Sequence, residues 1–483
     1  MTAHLQGKGR WLALIVLCFG DLMIVLDSTV VNVALPSIRS DLGFGEAGLV
    51  WVVNAYLLTF GGFLLLGGRL GDLYGHRRLF LYGIVFFTLA SLACGLASSQ
   101  TLLIVARAIQ GLGGAVVSAV ALSLIMLIFT EEAERAKAMG VFGFVISGGG
   151  TVGVLLGGLL TDALNWHWVF LVNLPVGALV FGLTLALVPD DHAGEKNETL
   201  DVAGAITVTL SLLLAVYAIV DGNVAGWGSA QTIGLLAAAA ALMALFLVIE
   251  LKVSHPLMPL GLFRHRNLSV ANIAGVLWAA AMFAWFFLSA LYMQLVLGYS
   301  PMEVGLAFLP ANLIMGAFSL GLSAKLVTRF GIRAPLGVGL LLAATGLALF
   351  ARAPVDGAFW VDVMPGMTLL GIGAGIAFNP ILLAAMNDVG PSESGLASGI
   401  VNTAFMMGGA LGLAILASLS AAETAAALAG GAAMPAALNE GYQLAFLLGA
   451  VCAAAAGALA FLLRPPPSRP EAASGTPAIV EAE

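Results

Sequence analysis

Charge is scarce in this sequence. Of its 483 residues only 9% are Asp, Glu, Lys or Arg, whereas an ordinary soluble domain has about 25%. So few charges cannot cover the surface of a soluble chain of this length, which excludes a soluble globular protein and a disordered one. The net charge of −7 also argues against a nucleic-acid partner. Because 60% of the residues are hydrophobic, the sequence predicts a polytopic protein in a lipid bilayer.

Residues that bind metals or form catalytic sets are also few. The three cysteines, Cys18, Cys94 and Cys452, lie far apart inside apolar stretches, where they act as small apolar side chains. The six histidines form no cluster with metal-ligand spacing. The sequence also contains no nucleophile–base set and no phosphate-binding loop. It therefore predicts no metal, no cofactor and no enzymatic activity.

Long apolar runs fill most of the chain. A transmembrane helix needs about 20 apolar residues, and breaks rich in charge, proline or glycine separate the runs from one another. We predict fourteen spans, near residues 11–36, 47–68, 79–98, 101–129, 139–160, 168–188, 202–220, 231–251, 268–297, 303–324, 335–352, 361–385, 396–418 and 441–463. The expected fold class is an all-α membrane protein with 14 transmembrane helices.

Lys and Arg are unevenly distributed between the two sides of these spans. With the N-terminus inside, only Arg39 and Arg352 fall on the outer side and Arg107 lies within a span, so every other basic residue falls on an inner segment. Basic residues favour cytoplasmic loops. We therefore predict a multi-pass plasma membrane protein whose termini are both cytoplasmic.

An internal repeat divides the chain. Aligning Gly75 with Gly331 also aligns Arg77 with Arg333 and places Asp72 opposite Thr328. Two six-helix lobes of this kind suit a substrate site near the midplane and alternating access. The predicted units are an N-terminal lobe over 1–188 (spans 1–6), linkers with an inserted two-helix hairpin over 189–267 (spans 7–8), a C-terminal lobe over 268–464 (spans 9–14) and a disordered cytoplasmic tail over 465–483.

Charges inside spans are the best candidates for function, because each costs about 2.5–3.5 kcal/mol on insertion scales. Asp27 in span 1 lies about 13 Å and Arg107 in span 4 about 9 Å below the outer end of its span, at 1.5 Å per residue. At this similar depth the two side chains either pair or share a water-filled cavity. A carboxylate in that position is a candidate proton carrier. The competing interpretation is a static ion pair that only holds the lobe together.

Two further polar residues accompany this pair. Asp21 precedes Asp27 by six residues and points about 120° away from it. It is a further candidate for proton coupling if it faces the same cavity at a deeper level. The alternative is that it hydrogen-bonds a neighbouring helix. Gln110 lies one turn from Arg107 on the same helix face and extends the polar patch.

Aromatic and soft side chains are candidates for contact with an apolar substrate. Span 9 carries Trp278, Met282, Trp285, Ser289 and Tyr292, whose spacing of 4, 3, 4 and 3 forms one helix stripe. Such a stripe suits large, flat, apolar ligands and can hold a cation by its attraction to the rings. A packing or lipid-facing surface explains it nearly as well. Further candidates in the C-terminal lobe are Asn312, Asn379, Asn402, Phe405 and Met406.

Two sequence features bear on helix packing. Gly149, Gly153 and Gly157 repeat every four residues in span 5 and predict the close approach of another helix. The pair Asn379-Pro380 predicts a break in span 12, which is tolerated near a cavity.

Several motifs resemble those of the major facilitator superfamily, and more narrowly its 14-span drug:proton antiporter branch. The resemblance covers residues 11–463. It rests on the segments 26–36 in span 1, 68–78 in the loop after span 2, 107–115 in span 4, 166–177 at the entry to span 6 and 297–301 before span 10.

The resemblance implies roles for single residues. Asp27 would couple protons and attract cationic substrates, and Arg107 would take part in proton transfer. The loop residues Gly68, Asp72, Gly75, Arg77 and Arg78 would form a cytoplasmic latch that stabilises one access state. A purely topological role for the two arginines is the competing interpretation. The resemblance also implies a bacterial inner-membrane location.

The sequence departs from the pattern of this branch at several positions. In span 5, Gly149-Gly150 and Gly153-Val154 stand where the branch has Gly-Pro pairs, which weakens the case for antiport. Leu73 and His76 replace basic residues in the latch loop, and His167 stands where an arginine is common. A looser latch is expected.

We therefore expect a monomeric, proton-driven exporter of hydrophobic, cationic or amphipathic small molecules such as drugs, antiseptics and dyes. It would use the proton gradient and no cofactor. The first alternative is a dedicated exporter or importer of one metabolite on the same fold. A channel or a membrane-embedded enzyme is a less favoured alternative of a different class, since no selectivity segment and no catalytic set are visible.

Overall fold

A computed structural model describes residues 8–190, 201–254, 256–386, 389 and 394–464. The predicted tail over 465–483 and part of the linker over 189–267 lie outside these residues. Within them the regular secondary structure is entirely helical. The all-α prediction is confirmed for this part of the chain.

The first half of the chain forms six long helices. They are α1 (Lys8–Leu42), α2 (Glu46–Tyr74), α3 (His76–Gly95), α4 (Gln100–Ile128), α5 (Glu132–Ala163) and α6 (Trp168–Leu187). The inserted hairpin follows as α7 (Val202–Ala225) and α8 (Ala230–Lys252). A short 3₁₀ turn over Leu260–Arg264 leads into the second half.

The second half forms six more helical stretches. They are α9 (Arg266–Val296), α10 (Pro301–Ala317, continued through a π-turn at Phe318–Leu322 to Ser323–Phe330), α11 (Arg333–Phe350), α12 (Phe359–Met386), α13 (Ser394–Ala429) and α14 (Met434–Ala460). Polar side chains cap several starts: Ser99 at α4, Asp201 at α7, Ser229 at α8 and Ser300 at α10.

Thirteen helices in the described ranges are long and apolar enough to cross a membrane. The predicted tenth span falls on Pro301–Ala317, an apolar helix of 17 residues. The fourteen predicted segments thus correspond to α1–α14 in order, and the count of fourteen membrane crossings stays a prediction.

The predicted break at Asn379-Pro380 is wrong. Helix α12 continues through Pro380, although a proline removes the hydrogen bond to the carbonyl four residues earlier. That carbonyl belongs to Ile376, and the hydroxyl of Ser323 on α10 donates to it at 3.0 Å. The neighbouring helix thereby satisfies the group that the proline leaves unpaired, so the helix need not break.

The repeat seen in the sequence corresponds to matching backbone features. Gly75 ends α2 with a φ of +91°, and Gly331 ends the helical stretch after α10 with a φ of +73°. Both conformations favour glycine, which lacks a Cβ. Beyond them, Gly83 lies against Gly113 between α3 and α4, and Gly339 lies against Gly373 between α11 and α12.

The inserted hairpin packs beside the junction of the two halves. The Asn223 amide of α7 donates to the Ser418 carbonyl of α13 at 2.7 Å. On the other side, the ring of Tyr217 in α7 lies 6.3 Å from that of Trp51 in α2. Helix α8 is mostly exposed, with 17% of its apolar window buried. Helix α7 therefore bridges α2 and α13, while α8 lies on the periphery.

The two halves also contact each other directly. The Asn54 amide of α2 donates to the Ala410 carbonyl of α13 at 2.9 Å, and Gln294 of α9 donates to the Val33 carbonyl of α1 at 2.9 Å. Gly158, near the end of α5, packs on the backbone of Pro301 at the start of α10. Val33 and Pro301 lie near the predicted outer ends of their helices, so the halves meet there.

Candidate functional site

The centre of the first half contains a buried ion pair. Arg107 Nη1 of α4 lies 2.5 Å from Asp27 Oδ2 of α1, and the two side chains are 1% and 0% exposed. Nε of the same guanidinium donates to the Val52 carbonyl of α2 at 2.9 Å. Of the two arrangements that the sequence left open for Asp27 and Arg107, the structure has the direct pair.

A polar shell completes the surroundings of Asp27. Gln110 and Asn173 both donate to Oδ1 of this carboxylate, at 2.7 and 2.9 Å. The same two amides donate to the Ser91 hydroxyl at 2.6 and 3.1 Å. Side chains of α1, α3, α4 and α6 contribute to this network, and each carboxylate oxygen of Asp27 accepts from at least one protein donor.

Aromatic rings enclose the guanidinium. Its central carbon lies 4.4 Å from the ring centroid of Tyr56 on α2 and 5.6 Å from that of Phe170 on α6. Rings at these distances attract a cation. The Tyr56 hydroxyl is buried and makes no hydrogen bond to the described residues.

The charges of Asp27 and Arg107 depend on each other. A proton added to Asp27 would cancel its charge, so that Arg107 would lose its countercharge and the network would have to rearrange. In a buried pair, removing one charge is far costlier than in water. The pairing of these two charges therefore ties the position of α1 to that of α4.

Asp21 lies in a separate environment on α1. It is 4% exposed and accepts a hydrogen bond from the Ser118 hydroxyl of α4. It forms no ion pair with the described residues. Of the two predicted arrangements for Asp21, the structure has the hydrogen bond to a neighbouring helix.

The three glycines of α5 lie against α1. A Cβ at Gly157 would stand 2.7 Å from the Val30 carbonyl oxygen, and one at Gly149 would stand 2.7 Å from Leu22. Gly153 faces Thr29. These contacts are the close helix approach that their spacing predicts, and they pack α5 onto the helix that carries Asp27.

The predicted latch residues gather at the loop between α2 and α3. Gly68 lies on α2, Gly75 forms the turn and Arg78 is exposed. Asp72 accepts from His76 at 3.2 Å. Arg77 donates to the Leu185 carbonyl at 2.8 Å and lies 3.7 Å from Asp190, near the end of α6. In the described part of the chain, Asp72 thus contacts a histidine and not an arginine.

The aromatic stripe of α9 lies mostly in the core. Trp278, Trp285 and Tyr292 are each at most 1% exposed, and only Met282 is partly exposed. Trp285 packs on Phe308 at 6.0 Å between ring centroids. In this conformation the stripe is therefore a packing surface, the alternative that its spacing left open.

The remaining candidates of the second half differ in exposure. Asn312 is 2% exposed, and its Nδ2 has no hydrogen-bond partner among the described residues. Asn379 donates to the Ser319 carbonyl at 2.8 Å, and Asn402 donates to the Ser398 carbonyl at 3.0 Å. Met406, like these last two, is partly exposed.

Phe405 belongs to a cluster of rings from three helices. Its centroid lies 6.0 Å from that of Phe283 on α9 and 6.2 Å from that of Phe378 on α12. Phe378 is 43% exposed. Through Phe378 this cluster is more accessible than the buried rings of the α9 stripe.

Sequence reasoning missed four side chains of the site: Ser91, Asn173, Tyr56 and Phe170. Asn173 and Phe170 stand within a motif of the resemblance, at the entry to α6, so their positions were visible without their roles. Ser91 and Tyr56 lie in ordinary apolar spans, and nothing in their spacing distinguishes them from other small or aromatic residues.

Comparisons with known proteins agree with this architecture. The sequence profile described as Major Facilitator Superfamily matches residues 17–413. The chain is 40% identical to the puromycin resistance protein pur8 of Streptomyces alboniger, over 91% of this chain and 88% of that protein. It is 39% identical to the multidrug resistance protein Stp of Mycobacterium tuberculosis, over 88% and 78% of the two chains.

A third relative and a solved structure complete the comparison. The cephamycin export protein CmcT of Amycolatopsis lactamdurans is 38% identical, over 85% of both chains. The crystal structure of an auto-inhibited POT family peptide transporter has the same fold, with a TM-score of 0.66 and 16% identity, and the match covers 96% of this chain and 99% of that one. The helical architecture, the profile and these relatives show that the chain belongs to the Major Facilitator Superfamily.

Proposed function

We propose that this transporter is a proton-coupled antiporter that exports hydrophobic, cationic or amphipathic small molecules by alternating access. The observation that carries the proposal is the buried Asp27–Arg107 pair, with 2.5 Å between Nη1 and Oδ2. Charged residues inside membrane spans cost free energy, and those that are present usually serve a function. Here it offers one carboxylate that gains or loses a proton as the lobes move.

The substrate class rests on two kinds of support. Relatives that share 38–40% of their residues over most of the chain are named for puromycin resistance, multidrug resistance and cephamycin export. Phe283 and Phe378 are at least partly exposed and pack on the buried ring of Phe405. With the partly exposed Met282 and Met406 they offer an apolar surface for such molecules.

Alternating access is supported by where the two halves touch. The Val33–Gln294 hydrogen bond and the packing of Gly158 on Pro301 lie near the predicted outer ends of α1, α5, α9 and α10. Near the start of α5, a Cβ at Gly140 or Gly143 would meet nothing within 4 Å. The halves also meet nearer the predicted inner ends of α2 and α13, where a Cβ at Gly399 would stand 2.5 Å from Leu65. We infer two lobes over 1–188 and 268–464 in a bacterial inner membrane, with α1 and α5 joined to α9 and α10 at the outer side.

The glycines of α5 offer a substitute for the Gly-Pro pairs whose absence weakens the sequence evidence for antiport. Where the branch has Gly-Pro pairs, Gly149 and Gly153 lie directly against Leu22 and Thr29 of α1. We infer that this tight packing transmits movement of α1, and hence the protonation of Asp27, to α5.

The test is transport by purified protein in proteoliposomes with an imposed pH gradient and ethidium as the cationic probe. We expect an acidic interior to drive ethidium uptake by the unmodified protein. Asp27→Asn should abolish this uptake, because the amide cannot carry the proton. Asp221→Asn is the matched control, since Asp221 lies on the hairpin, away from the Asp27–Arg107 pair, and accepts from Gln231 at 2.8 Å.

Two outcomes contradict the proposal. Ethidium uptake at a rate independent of the pH gradient would exclude proton coupling. Unchanged uptake by Asp27→Asn would exclude this carboxylate as the coupling group.

A dedicated exporter of one compound is the second candidate, because two of the relatives are named for single antibiotics, puromycin and cephamycin. Competition against ethidium uptake separates the two. Inhibition by many unrelated cations favours a multidrug exporter, whereas inhibition by a single compound favours a dedicated one.

A further inference from the structure

We propose that Tyr56 and Asp21 form a proton route between the Asp27–Arg107 pair and the end of the lobe where α1 begins. This inference rests on the proposed proton coupling and adds two residues to it.

The residues concerned follow one face of α4. Arg107, Gly114 and Ser118 are separated by seven and four residues, a spacing that keeps them on the same side of a helix. Asp27 pairs with Arg107 at one end of this face, and Asp21 accepts from Ser118 at the other. Along α1 the two carboxylates are six residues apart, or about 9 Å at 1.5 Å per residue.

The Tyr56 hydroxyl lies between these two ends. A Cβ added at Gly114 would stand 3.0 Å from this hydroxyl, which places it at the middle of the α4 face. The hydroxyl also lies within electrostatic range of Asp27, Arg107 and Asp21. Gly114 therefore provides the space in which the Tyr56 hydroxyl can lie.

The Tyr56 hydroxyl lacks a hydrogen-bond partner and the Asp21 carboxylate lacks a countercharge in the described residues, and both features indicate a proton at this place. The Tyr56 side chain is 2% exposed, and its hydroxyl has no hydrogen-bond partner among the described residues. A buried hydroxyl without a partner costs about 1–3 kcal/mol. Asp21 is 4% exposed and forms no ion pair with the described residues, so it needs either a proton or a counter-ion. A mobile proton shared along this face meets both requirements.

Asp27 itself is not accessible for direct exchange. Its Oδ2 is held by Arg107, and its Oδ1 accepts from Gln110 and Asn173. The side chain is fully buried. A proton must therefore reach it through neighbouring groups, and Tyr56 is the neighbour whose hydroxyl is not already engaged.

The transfer balances without any further reactant. The O–H bond of the Asp21 carboxyl breaks as its proton passes to Tyr56 Oη, and the Tyr56 O–H bond breaks as its own proton passes to Asp27. Asp21 is left as a carboxylate, Tyr56 is again neutral, and Asp27 is protonated. The charge that held Arg107 has then moved along α1 to Asp21.

Few other groups face this route in the described residues. Those that titrate or carry charge are Cys18 on α1, Cys94 on α3, which contacts Gln110, and Arg107 itself. Since the two thiols are neutral and buried, they do not replace Asp21 or Tyr56 as carriers.

The test compares Tyr56→Phe and Asp21→Asn in two assays with ethidium. Tyr56→Phe removes only the hydroxyl and keeps the ring beside Arg107. Gradient-driven uptake requires net proton movement, whereas counterflow exchange at equal pH does not. We expect both variants to keep counterflow, to lose at least about tenfold in gradient-driven rate, and to show a flattened pH profile.

Two controls sharpen the comparison. Tyr217→Phe changes a tyrosine of α7 that is 44% exposed and lies off the route, and it should behave like the unmodified protein. Asp21→Glu keeps a carboxyl group and should recover most of the gradient-driven rate.

The proposal is overturned if both variants match the unmodified protein in rate and pH profile. It is also overturned if both lose counterflow, since a proton carrier is dispensable for exchange. Either result, obtained alongside gradient-driven uptake that Asp27→Asn abolishes, would refute this route while leaving proton coupling intact. Absence of gradient-driven uptake by the unmodified protein would instead refute the proposed function.

Discussion

Arg107→Met tests the energetic role of the buried pair independently of transport. Methionine keeps a long unbranched side chain but removes the guanidinium. Oδ2 of Asp27 then loses the donor 2.5 Å away, and the Val52 carbonyl loses one at 2.9 Å. Removing one partner of a buried ion pair costs about 3–5 kcal/mol, because the other charge stays buried without compensation. We expect a loss of stability in this range.

The double substitution Asp27→Asn with Arg107→Met should cost much less than the sum of the two single changes. Asparagine keeps an oxygen to accept from Gln110 and Asn173, and no isolated charge remains in the lobe. Replacing both members of a buried pair is often nearly neutral. We therefore expect a coupling energy of about 2–3 kcal/mol between the two positions.

The assay is equilibrium unfolding of purified protein in mixed detergent micelles, followed by tryptophan fluorescence. An exposed pair serves as the matched control. Arg10 lies 2.9 Å from Glu134, but the side chains are 26% and 31% exposed. The corresponding cycle with Arg10→Met and Glu134→Gln should give a coupling of no more than about 1 kcal/mol, because water already screens these charges.

Additivity would refute the reasoning. If the effects of Asp27→Asn and Arg107→Met add within about 0.5 kcal/mol, the two groups do not interact in the folded protein. A coupling no larger than that of Arg10 and Glu134 would likewise show that the pair is not held in a low-dielectric environment.

Packing and orientation each yield one further prediction. Gly157→Ala should lower stability by about 1–3 kcal/mol in the same unfolding assay, because its Cβ would stand 2.7 Å from the Val30 carbonyl. Gly150→Ala, with nothing within 4 Å, should not, and equal effects would contradict the close approach of α1 and α5. In a background without the native cysteines, an impermeant maleimide added outside intact cells should label Ser98→Cys. Glu131→Cys should be labelled only after the cells are opened, and the reverse pattern would overturn the predicted orientation.

Much of the helical layout was predictable because of the cost of charge in a membrane. Apolar runs with few charged residues matched the helices in order, and only the helix at Pro301–Ala317 is too short to count among the thirteen candidate spans of the described residues. The depth of Asp27 and Arg107 followed from counting residues along two helices. Because Asp27 and Arg107 lie at similar depth, they can pair wherever α1 and α4 are neighbours.

The chemistry around the pair was less predictable. Ser91 and Asn173 reach Asp27 from α3 and α6, and no local pattern states which turn of one helix faces which turn of another. Pro380 shows the same difficulty. Helix α12 continues through Pro380 because the hydroxyl of Ser323, more than fifty residues away in sequence, donates a hydrogen bond to the Ile376 carbonyl.

The α9 stripe shows that spacing can predict a shared helix face without predicting what packs against that face. Trp278, Trp285 and Tyr292 do share a helix face, as their spacing predicts. That face is buried against neighbouring helices in this conformation, whereas Phe378, which no spacing singled out, is exposed near Phe405. Spacing along one helix states which residues share a side and not what covers that side.

The sequence by itself determined that this chain resides in a membrane, where its helices lie and which few charges are buried in them. Those properties depend on the free energy of moving each residue out of water, which is local. Only the tertiary structure decided that side chains of α3, α4 and α6 surround Asp27, that the Tyr56 hydroxyl lies beside Gly114, and that Asp21 accepts from Ser118 and pairs with no basic side chain of the described residues. These depend on which helix faces meet, and that is settled by packing of the whole chain.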